Sequence, residues 1–271
     1  MELTLLTLAL VLYLGATISF VVHLLSGRDV LRRVALAALT AAVALNAAAI
    51  AMRSTAAGNL AVFSLDEQLS LVACLIVAVY LWLQRRYPVT VLGALVSPLA
   101  LIFGLSAYMF YSGNPPLPST IHTVWLPAHI APVFLGYAIL TVAFCISLLY
   151  LLQEQQLKAK RKSGLRRRLP SLEALDELNY RFVTWGFTLF TIGMITGSVL
   201  AKERWGAFWS WEPVQLSSLV TWLVYAVLLQ TRLVGWRGRR AATLTIVGFA
   251  LLLVSLLSVN LFSLGRHNSL G

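Results

Sequence analysis

Eight separate apolar stretches, each close to the length that crosses a lipid bilayer, dominate this sequence. A helix needs about 20 mainly apolar residues to span the hydrocarbon core of a membrane. The stretches cover residues 3–25, 34–52, 65–83, 89–111, 126–152, 182–200, 214–230 and 241–264. We therefore expect an all-α fold, a polytopic membrane protein with eight transmembrane helices. One integral membrane domain, residues 1–271, is expected to hold all of them. The first stretch is too long for a signal-peptide core, so we expect it to be a retained span.

The charged residues support this class and exclude others. Only 11% of the residues are charged, whereas soluble domains carry about a quarter. The net charge of +11 comes from short basic clusters between apolar stretches, which are typical of cytoplasmic loops, so we expect no nucleic-acid partner. Cys74 and Cys145 lie far apart inside apolar stretches and are expected to pack as small hydrophobic side chains.

The basic residues also predict the orientation. If the N-terminus is outside, all but four of the 21 Lys and Arg residues fall in inner loops. The positive-inside rule then predicts an N-out/C-out topology. The longest inner loop, residues 153–178, contains the run KAKRKSGLRRR. We expect it to contact anionic headgroups of the lipid bilayer, with a cytoplasmic protein partner as the alternative. Residues 171–180, which follow the basic run, suggest a short amphipathic helix.

Two predicted outer loops, residues 112–129 and 201–213, carry the unusual chemistry. They hold four of the eight tryptophans, namely Trp125, Trp205, Trp209 and Trp211. An interfacial aromatic belt explains one or two such residues in a loop. Three Trp and one Phe fall within seven residues of the second loop. That density favours an apolar platform for a planar ligand, and the belt alone is the alternative.

Histidine placement favours haem as that ligand, and the alternative is that each histidine is only a polar side chain at the membrane boundary. His129 lies at the start of the fifth span and His267 just after the eighth, both on the predicted outer side. Neutral imidazole is a common axial ligand of haem iron. Two imidazoles on opposite faces would hold haem b by bis-His ligation. Indole rings could pack on the porphyrin. Basic side chains on this side could pair with its propionates; they are Lys202, Arg204 and Arg266.

Three segments of the second half carry a family resemblance. WGAFWSWEPVQLSSLVTWLVYAVLLQTR, residues 205–232, resembles the tryptophan-rich "WWD" signature of CcsA/ResC-type cytochrome c assembly proteins. WLPAHIAPVFLGYA, residues 125–138, is similar to that family's first external histidine segment, and VNLFSLGRH, residues 259–267, to its second. The chain is thus identified as resembling this haem-handling family, HemX-like members included.

The resemblance implies a haem site and a role in cytochrome c biogenesis. It places haem b between His129 and His267, the iron ligands. The further cofactor-binding positions that it implies are Trp125, Trp205, Trp209, Trp211, Glu212, Arg204 and Arg266. It implies presentation of haem to apocytochrome c together with a CcsB/ResB-like subunit, as a possible haem lyase component with no catalytic residue of its own. The implied location is the bacterial inner (cytoplasmic) membrane, with the site on the periplasmic face.

The sequence departs from the family pattern at two places. The signature ends in Asp-Pro-Lys-Glu, where this chain has Glu212-Pro213-Val214-Gln215. Many relatives have a histidine, proposed to bind haem inside the membrane, where this chain has Gln230, and glutamine is a poor iron ligand. Both departures suit the alternative function, a HemX-like membrane regulator acting on glutamyl-tRNA reductase. A haem-bearing subunit of a respiratory assembly is the third class.

Overall fold

The structure, a computed structural model, describes residues 1–58, 60–87, 89–113, 125–159 and 169–261, without the side chains of residues 204 and 259–261. These ranges contain eight α-helices and no strand. The helices are α1 (Glu2–Ser26), α2 (Asp29–Ala57), α3 (Leu65–Arg86), α4 (Gly93–Met109), α5 (Trp125–Lys158), α6 (Leu172–Trp205), α7 (Pro213–Leu233) and α8 (Arg239–Leu261). A short 3₁₀ helix, Thr90–Leu92, leads into α4. Eight segments are long and apolar enough to cross a membrane, which confirms the predicted fold class. The N-out/C-out orientation stays a prediction.

Helices α5 and α6 extend well beyond their apolar stretches. Each has 34 residues, about 50 Å at 1.5 Å per residue, against about 30 Å of hydrocarbon. Polar residues with good helix propensity continue α5 to Lys158. The predicted short amphipathic helix is the first part of α6, which begins at Leu172. Helix α5 therefore includes the start of the predicted inner loop, residues 153–178, and α6 includes its end from Leu172 onward. Helix α6 also includes residues 201–205 of the predicted tryptophan-rich loop.

The chain forms two compact units, Met1–Pro115 with Leu151–Leu172, and Pro116–Tyr150 with Glu173–Gly271. In the first unit, α1 packs on α2 and α4, and α3 packs on α2 and α4. A buried polar link joins α2 to α3: the Asn46 carboxamide accepts a hydrogen bond from the Ser70 hydroxyl at 2.8 Å and donates to the Ser70 carbonyl at 3.3 Å. Such links hold membrane helices together.

A buried arginine ties together one end of the first unit. The Arg53 guanidinium on α2, 7% exposed, lies 2.8 Å from the Asp66 carboxylate and donates to Glu67 at 2.7 Å. It also donates to the Gly113 carbonyl, just after α4, at 2.5 Å. Beside it, the Tyr111 phenol donates a hydrogen bond to the Glu2 carboxylate on α1, which raises the pKa of this phenol. Four helix ends thus meet at one cationic side chain.

The second unit is held by close backbone approach and by hydroxyl contacts. A Cβ at Gly136 of α5 would lie 3.2 Å from the Gly186 carbonyl of α6, so these helices approach through their glycines. Ser255 on α8 lies 3.2 Å from the Tyr137 hydroxyl of α5 and 2.9 Å from the Ser218 hydroxyl of α7. These contacts join α5, α7 and α8. Cys74 and Cys145 are free and buried, as predicted.

Candidate haem-binding end of the second unit

The tryptophan segment, residues 205–212, is a short connection between two well-defined helix ends. Helix α6 stops at Gly206, which adopts a left-handed φ of 76° and donates its N–H to the Lys202 carbonyl at 2.9 Å. Only glycine adopts this conformation freely, so a glycine suits this stop. Helix α7 starts with Pro213 in its first turn, where the missing N–H of proline is not needed. The segment between the two ends is therefore held from both sides.

Two tryptophans of this segment form an edge-to-face pair. The ring centroids of Trp209 and Trp211 lie 5.6 Å apart with an interplanar angle of 86°. Trp211 has a positive φ of 56° and is 72% exposed. A non-glycine residue in this region is strained, and such strain is kept where the surroundings impose it, often at binding sites. The segment thus presents a large indole outward at a conformational cost.

The indole N–H of Trp209 has an unusual environment. Its Nε1 atom is buried and has no hydrogen-bond partner among the described residues. Leaving a buried N–H unsatisfied costs about 1–3 kcal/mol. A contrasting case is Trp222 on α7, whose Nε1–H donates to the Thr191 hydroxyl at 2.9 Å. The Trp209 N–H is therefore a donor that a bound acceptor group would satisfy.

Gln215 supports the tryptophan segment through contacts of its side chain with Ser210. Its carboxamide oxygen accepts the backbone N–H of Ser210 at 2.7 Å and lies 3.3 Å from the Ser210 hydroxyl. Gln215 is the third residue of α7, the position from which a Gln or Glu side chain commonly reaches back to cap a helix start. It occupies the place of the signature's glutamate, and a side-chain oxygen is enough for this contact. At this position the chain differs from the signature but still has a side-chain oxygen that supports the segment. This contact was not predicted from the sequence.

His129 packs against α6 through two glycines. Its Nδ1 atom lies 2.8 Å from the Gly193 carbonyl oxygen. Since a carbonyl only accepts, Nδ1 carries the proton and the lone pair of the neutral ring is on Nε2. A Cβ at Gly197 would lie 2.7 Å from the His129 Cε1 atom, so the ring lies directly on the α6 backbone. An Nδ1–H bond to a backbone carbonyl is the usual way to orient a metal-binding histidine.

The two glycines form a G-x-x-x-G pattern, a recognised signal of close helix packing in membranes. Gly193 and Gly197 lie one turn apart on the same face of α6. Sequence reasoning overlooked them, although the pattern was visible. From Gly197 to Trp205 the helix rises about 12 Å, so His129 lies beside α6 roughly that far along the axis from the tryptophan segment.

The other predicted site residues are placed as follows. Trp125 begins α5 and is 41% exposed, and Glu212 is the residue that precedes α7 and is 9% exposed. Trp205 is half-buried at the last position of α6. The Lys202 ammonium lies 4.4 Å from the centroid of the exposed Phe208 ring. His267, Arg266 and the side chain of Arg204 lie outside what the structure describes, so the pairing of His129 with His267 stays a prediction.

The structure also describes Gln230, at the position of the family's inner histidine, and His23. Gln230 is exposed on α7. His23 is buried at the end of α1, where its Nδ1 donates to the Arg28 carbonyl at 3.0 Å. This bond links the helix end to the following turn. No group of three or more His, Cys, Asp or Glu residues capable of holding a metal ion occurs in the described ranges.

The fold and this site define a class: a helical membrane protein, with eight candidate spans among its described residues, that has an aromatic segment and an oriented histidine at one end of its second unit. The sequence profile described as "Cytochrome C assembly protein" matches residues 62–267. The chain therefore belongs to the cytochrome c assembly protein family, which confirms the resemblance drawn from its motifs.

Individual relatives support membership of this family. The chain is 32% identical to "Cytochrome c biogenesis protein CcsA" of Synechococcus sp. (strain CC9605), with 87% of each chain covered. It is 34% identical to the protein of the same name from Guillardia theta, with 69% of each covered. Among solved structures it is similar to "Cytochrome c Heme Lyase CcmF", with a TM-score of 0.69 and 17% identity. The match covers 98% of this chain and half of that one, and at this identity it shows a shared fold.

Proposed function

We propose that this protein binds haem b at the tryptophan-segment end of its second unit and presents it for attachment to apocytochrome c. The observation that carries the proposal is the orientation of His129: its Nδ1–H is bound to the Gly193 carbonyl and its ring lies on Gly197. This arrangement sets the tautomer in which Nε2 can coordinate iron. Membership of the cytochrome c assembly family supports haem as the ligand.

The tryptophan segment supplies the second part of the proposed site. Exposed Trp211, with Trp209 at its edge, offers apolar surface to a porphyrin. The Trp209 N–H is suited to a haem propionate, because a carboxylate acceptor would satisfy a buried donor. His267 is proposed as the second axial ligand. Arg266, Arg204 and Lys202 are proposed to balance the propionate charges on the predicted outer side.

The chain's part in the attachment reaction is positioning. Thioether formation adds the S–H of each apocytochrome cysteine across a vinyl double bond of haem, so no atom is lost and no group of this chain is consumed. Both reactants come from outside the protein, and this chain would hold and orient the haem. We propose that a CcsB/ResB-like subunit assists and that the site faces the periplasm of a bacterial inner membrane.

The test is a reporter assay in a bacterial host that lacks its own cytochrome c assembly genes. The protein is produced with a CcsB/ResB-like subunit and a secreted cytochrome c, and covalent haem is measured by haem staining of denaturing gels. We expect holocytochrome from the natural sequence and at least a tenfold loss with His129→Ala. The matched control is His23→Ala, which removes another histidine bound through Nδ1 to a carbonyl. Full activity of His129→Ala, or no holocytochrome from the natural sequence, contradicts the proposal.

A further inference from the structure

The turn between α7 and α8, residues 233–240, combines exposed apolar and basic side chains. Leu233 and Val234 are 74% and 75% exposed, and Trp236 is 40% exposed. The basic residues of the turn, all exposed, are Arg237, Arg239 and Arg240. Exposed aliphatic side chains next to three arginines are a costly surface in water, but they are common where a protein meets a membrane interface.

The backbone of this turn is well defined by hydrogen bonds. The Trp236 N–H donates to the Thr231 carbonyl at 3.0 Å, and the Gly235 N–H donates to the Arg232 carbonyl at 3.1 Å. This pair of bonds, with Gly235 at a φ of 93°, is a Schellman motif that ends α7. The exposed side chains therefore project from a formed helix end.

The turn is also anchored to two other helices of the second unit. The Asp176 carboxylate on α6 accepts the Gly238 N–H at 2.8 Å and binds the Arg232 guanidinium at 2.6 Å. On α5, the Tyr150 hydroxyl lies close enough to Gly238 that a Cβ there would be 2.6 Å from its oxygen. Asp176 thus neutralises Arg232, whereas Arg237, Arg239 and Arg240 form no ion pair within the part of the chain that the structure describes.

One arginine is already oriented by an aromatic ring. The Arg240 guanidinium carbon lies 5.2 Å from the centroid of the Trp236 ring. Stacking of this kind restricts a flexible arginine side chain, while the guanidinium N–H groups stay available to bind an acceptor such as a phosphate oxygen. Because α7 and α8 both have the length and hydropathy of membrane spans, a turn that joins them lies at the level of the lipid headgroups.

We propose that the α7–α8 turn is a binding site for an anionic phospholipid, independent of the haem site. Arg237, Arg239 and Arg240 bind the headgroup phosphate, since guanidinium groups match phosphate oxygens with paired hydrogen bonds. Leu233 and Val234 contact the acyl chains of that lipid, and Trp236 lies at the interface. Charge complementarity favours an anionic lipid over a zwitterionic one.

The test is native mass spectrometry of the detergent-purified protein with equal amounts of phosphatidylglycerol and phosphatidylcholine. The natural sequence is expected to retain phosphatidylglycerol preferentially, and 0.5 M salt during loading is expected to weaken that preference. The triple variant Arg237→Gln/Arg239→Gln/Arg240→Gln is expected to lower phosphatidylglycerol retention by about tenfold or more, given the contribution of each basic residue near an anionic surface. Trp236→Leu is expected to give a smaller loss of about threefold.

The matched control removes three exposed arginines elsewhere, as Arg33→Gln/Arg85→Gln/Arg86→Gln, and is expected to keep most of the preference. Three outcomes overturn the proposal: no preference in the natural sequence, an equal loss in the control variant, or full displacement of the lipid by equimolar glycerol phosphate. The last outcome would identify a soluble phosphate site. If the triple variant fails to fold, Trp236→Leu decides the question, because only a variant within the turn separates its lipid from any lipid bound at the basic run of residues 158–168.

Discussion

At the scale of single residues, the candidate site depends on two kinds of side chain. One is held in a fixed orientation by a hydrogen bond, and the other has a polar group that a ligand could bind. His129 has its Nδ1 committed to the Gly193 carbonyl, whereas Trp209 keeps a buried N–H with no partner in the described part of the chain. The first arrangement prepares a coordinating nitrogen, and the second prepares a hydrogen-bond donor. A bound haem would use both groups, because its iron would bind the nitrogen and a propionate would accept the hydrogen bond.

Trp209→Phe is expected to weaken haem binding while the fold is kept. The phenyl ring retains apolar contact but removes the N–H, and a hydrogen bond to a charged acceptor contributes about 1.5 kcal/mol or more, roughly tenfold in affinity. Titration of the purified apoprotein with hemin measures the effect. Trp222→Phe is the control, since its N–H is bound within the protein to Thr191. Equal affinities for Trp209→Phe and the natural sequence would remove the proposed propionate contact.

Arg53 illustrates a residue whose role is structural. Arg53→Met leaves Asp66 and Glu67 as buried carboxylates without their cation, a change that typically costs about 3 kcal/mol or more. We expect a clearly lower apparent unfolding temperature in detergent, measured by fluorescence-detected size exclusion after heating. Arg33→Met, at an exposed position of the same helix, should change it little. If both variants unfold at the natural temperature, the buried cluster does not stabilise the first unit.

At the scale of elements, the contact of α5 with α6 positions the histidine. The G-x-x-x-G pair on α6 leaves no side chain between its backbone and α5, so the His129 ring rests on the helix itself. On the same helix, the end at Gly206 determines where the tryptophan segment begins. Helix α6 therefore positions both parts of the proposed site: it packs against His129 of α5, and its end fixes the start of the tryptophan segment.

Gly197→Ala is expected to disturb haem binding without unfolding the protein. The added methyl would meet the His129 ring at 2.7 Å from Cε1, so the ring must move from its position. We expect a haem absorption spectrum that is shifted or several-fold weaker. Gly15→Ala on α1, where nothing lies within 4 Å of the added Cβ, is the matched control and should have no effect. An unaltered spectrum for Gly197→Ala would show that the ring position is not needed.

At the scale of the whole molecule, the bias of basic residues predicts that Lys202 lies outside and Lys158 inside. Both are exposed, and both native cysteines are buried, so single cysteines introduced there should react without background. A membrane-impermeant maleimide should label Lys202→Cys in intact cells and Lys158→Cys only after permeabilisation. The opposite labelling would reverse the orientation and place the proposed site on the cytoplasmic face.

The sequence predicts the membrane spans and the family, because these follow from the hydropathy and the motifs of continuous segments. Eight spans follow from the bilayer thickness, and the family follows from three motifs, residues 125–138, 205–232 and 259–267. Helix ends were less predictable, because polar residues such as those before Lys158 extend a helix past the membrane as readily as they form a loop. The contact of Arg53 with Gly113 depends on tertiary structure that local patterns do not encode. The contact of Gln215 with Ser210 is local, because Gln215 occupies a position from which a side chain commonly caps a helix start.

Optical spectra of the detergent-purified protein, oxidised and reduced, measure whether His129 and His267 hold haem. We expect a low-spin b-type spectrum for the natural sequence after reconstitution with hemin. We expect loss of that spectrum in His129→Ala/His267→Ala and its retention in Gln230→Ala, whose side chain is exposed on α7. A full low-spin spectrum in the double histidine variant would show that the iron has other ligands and that the proposed site is wrong.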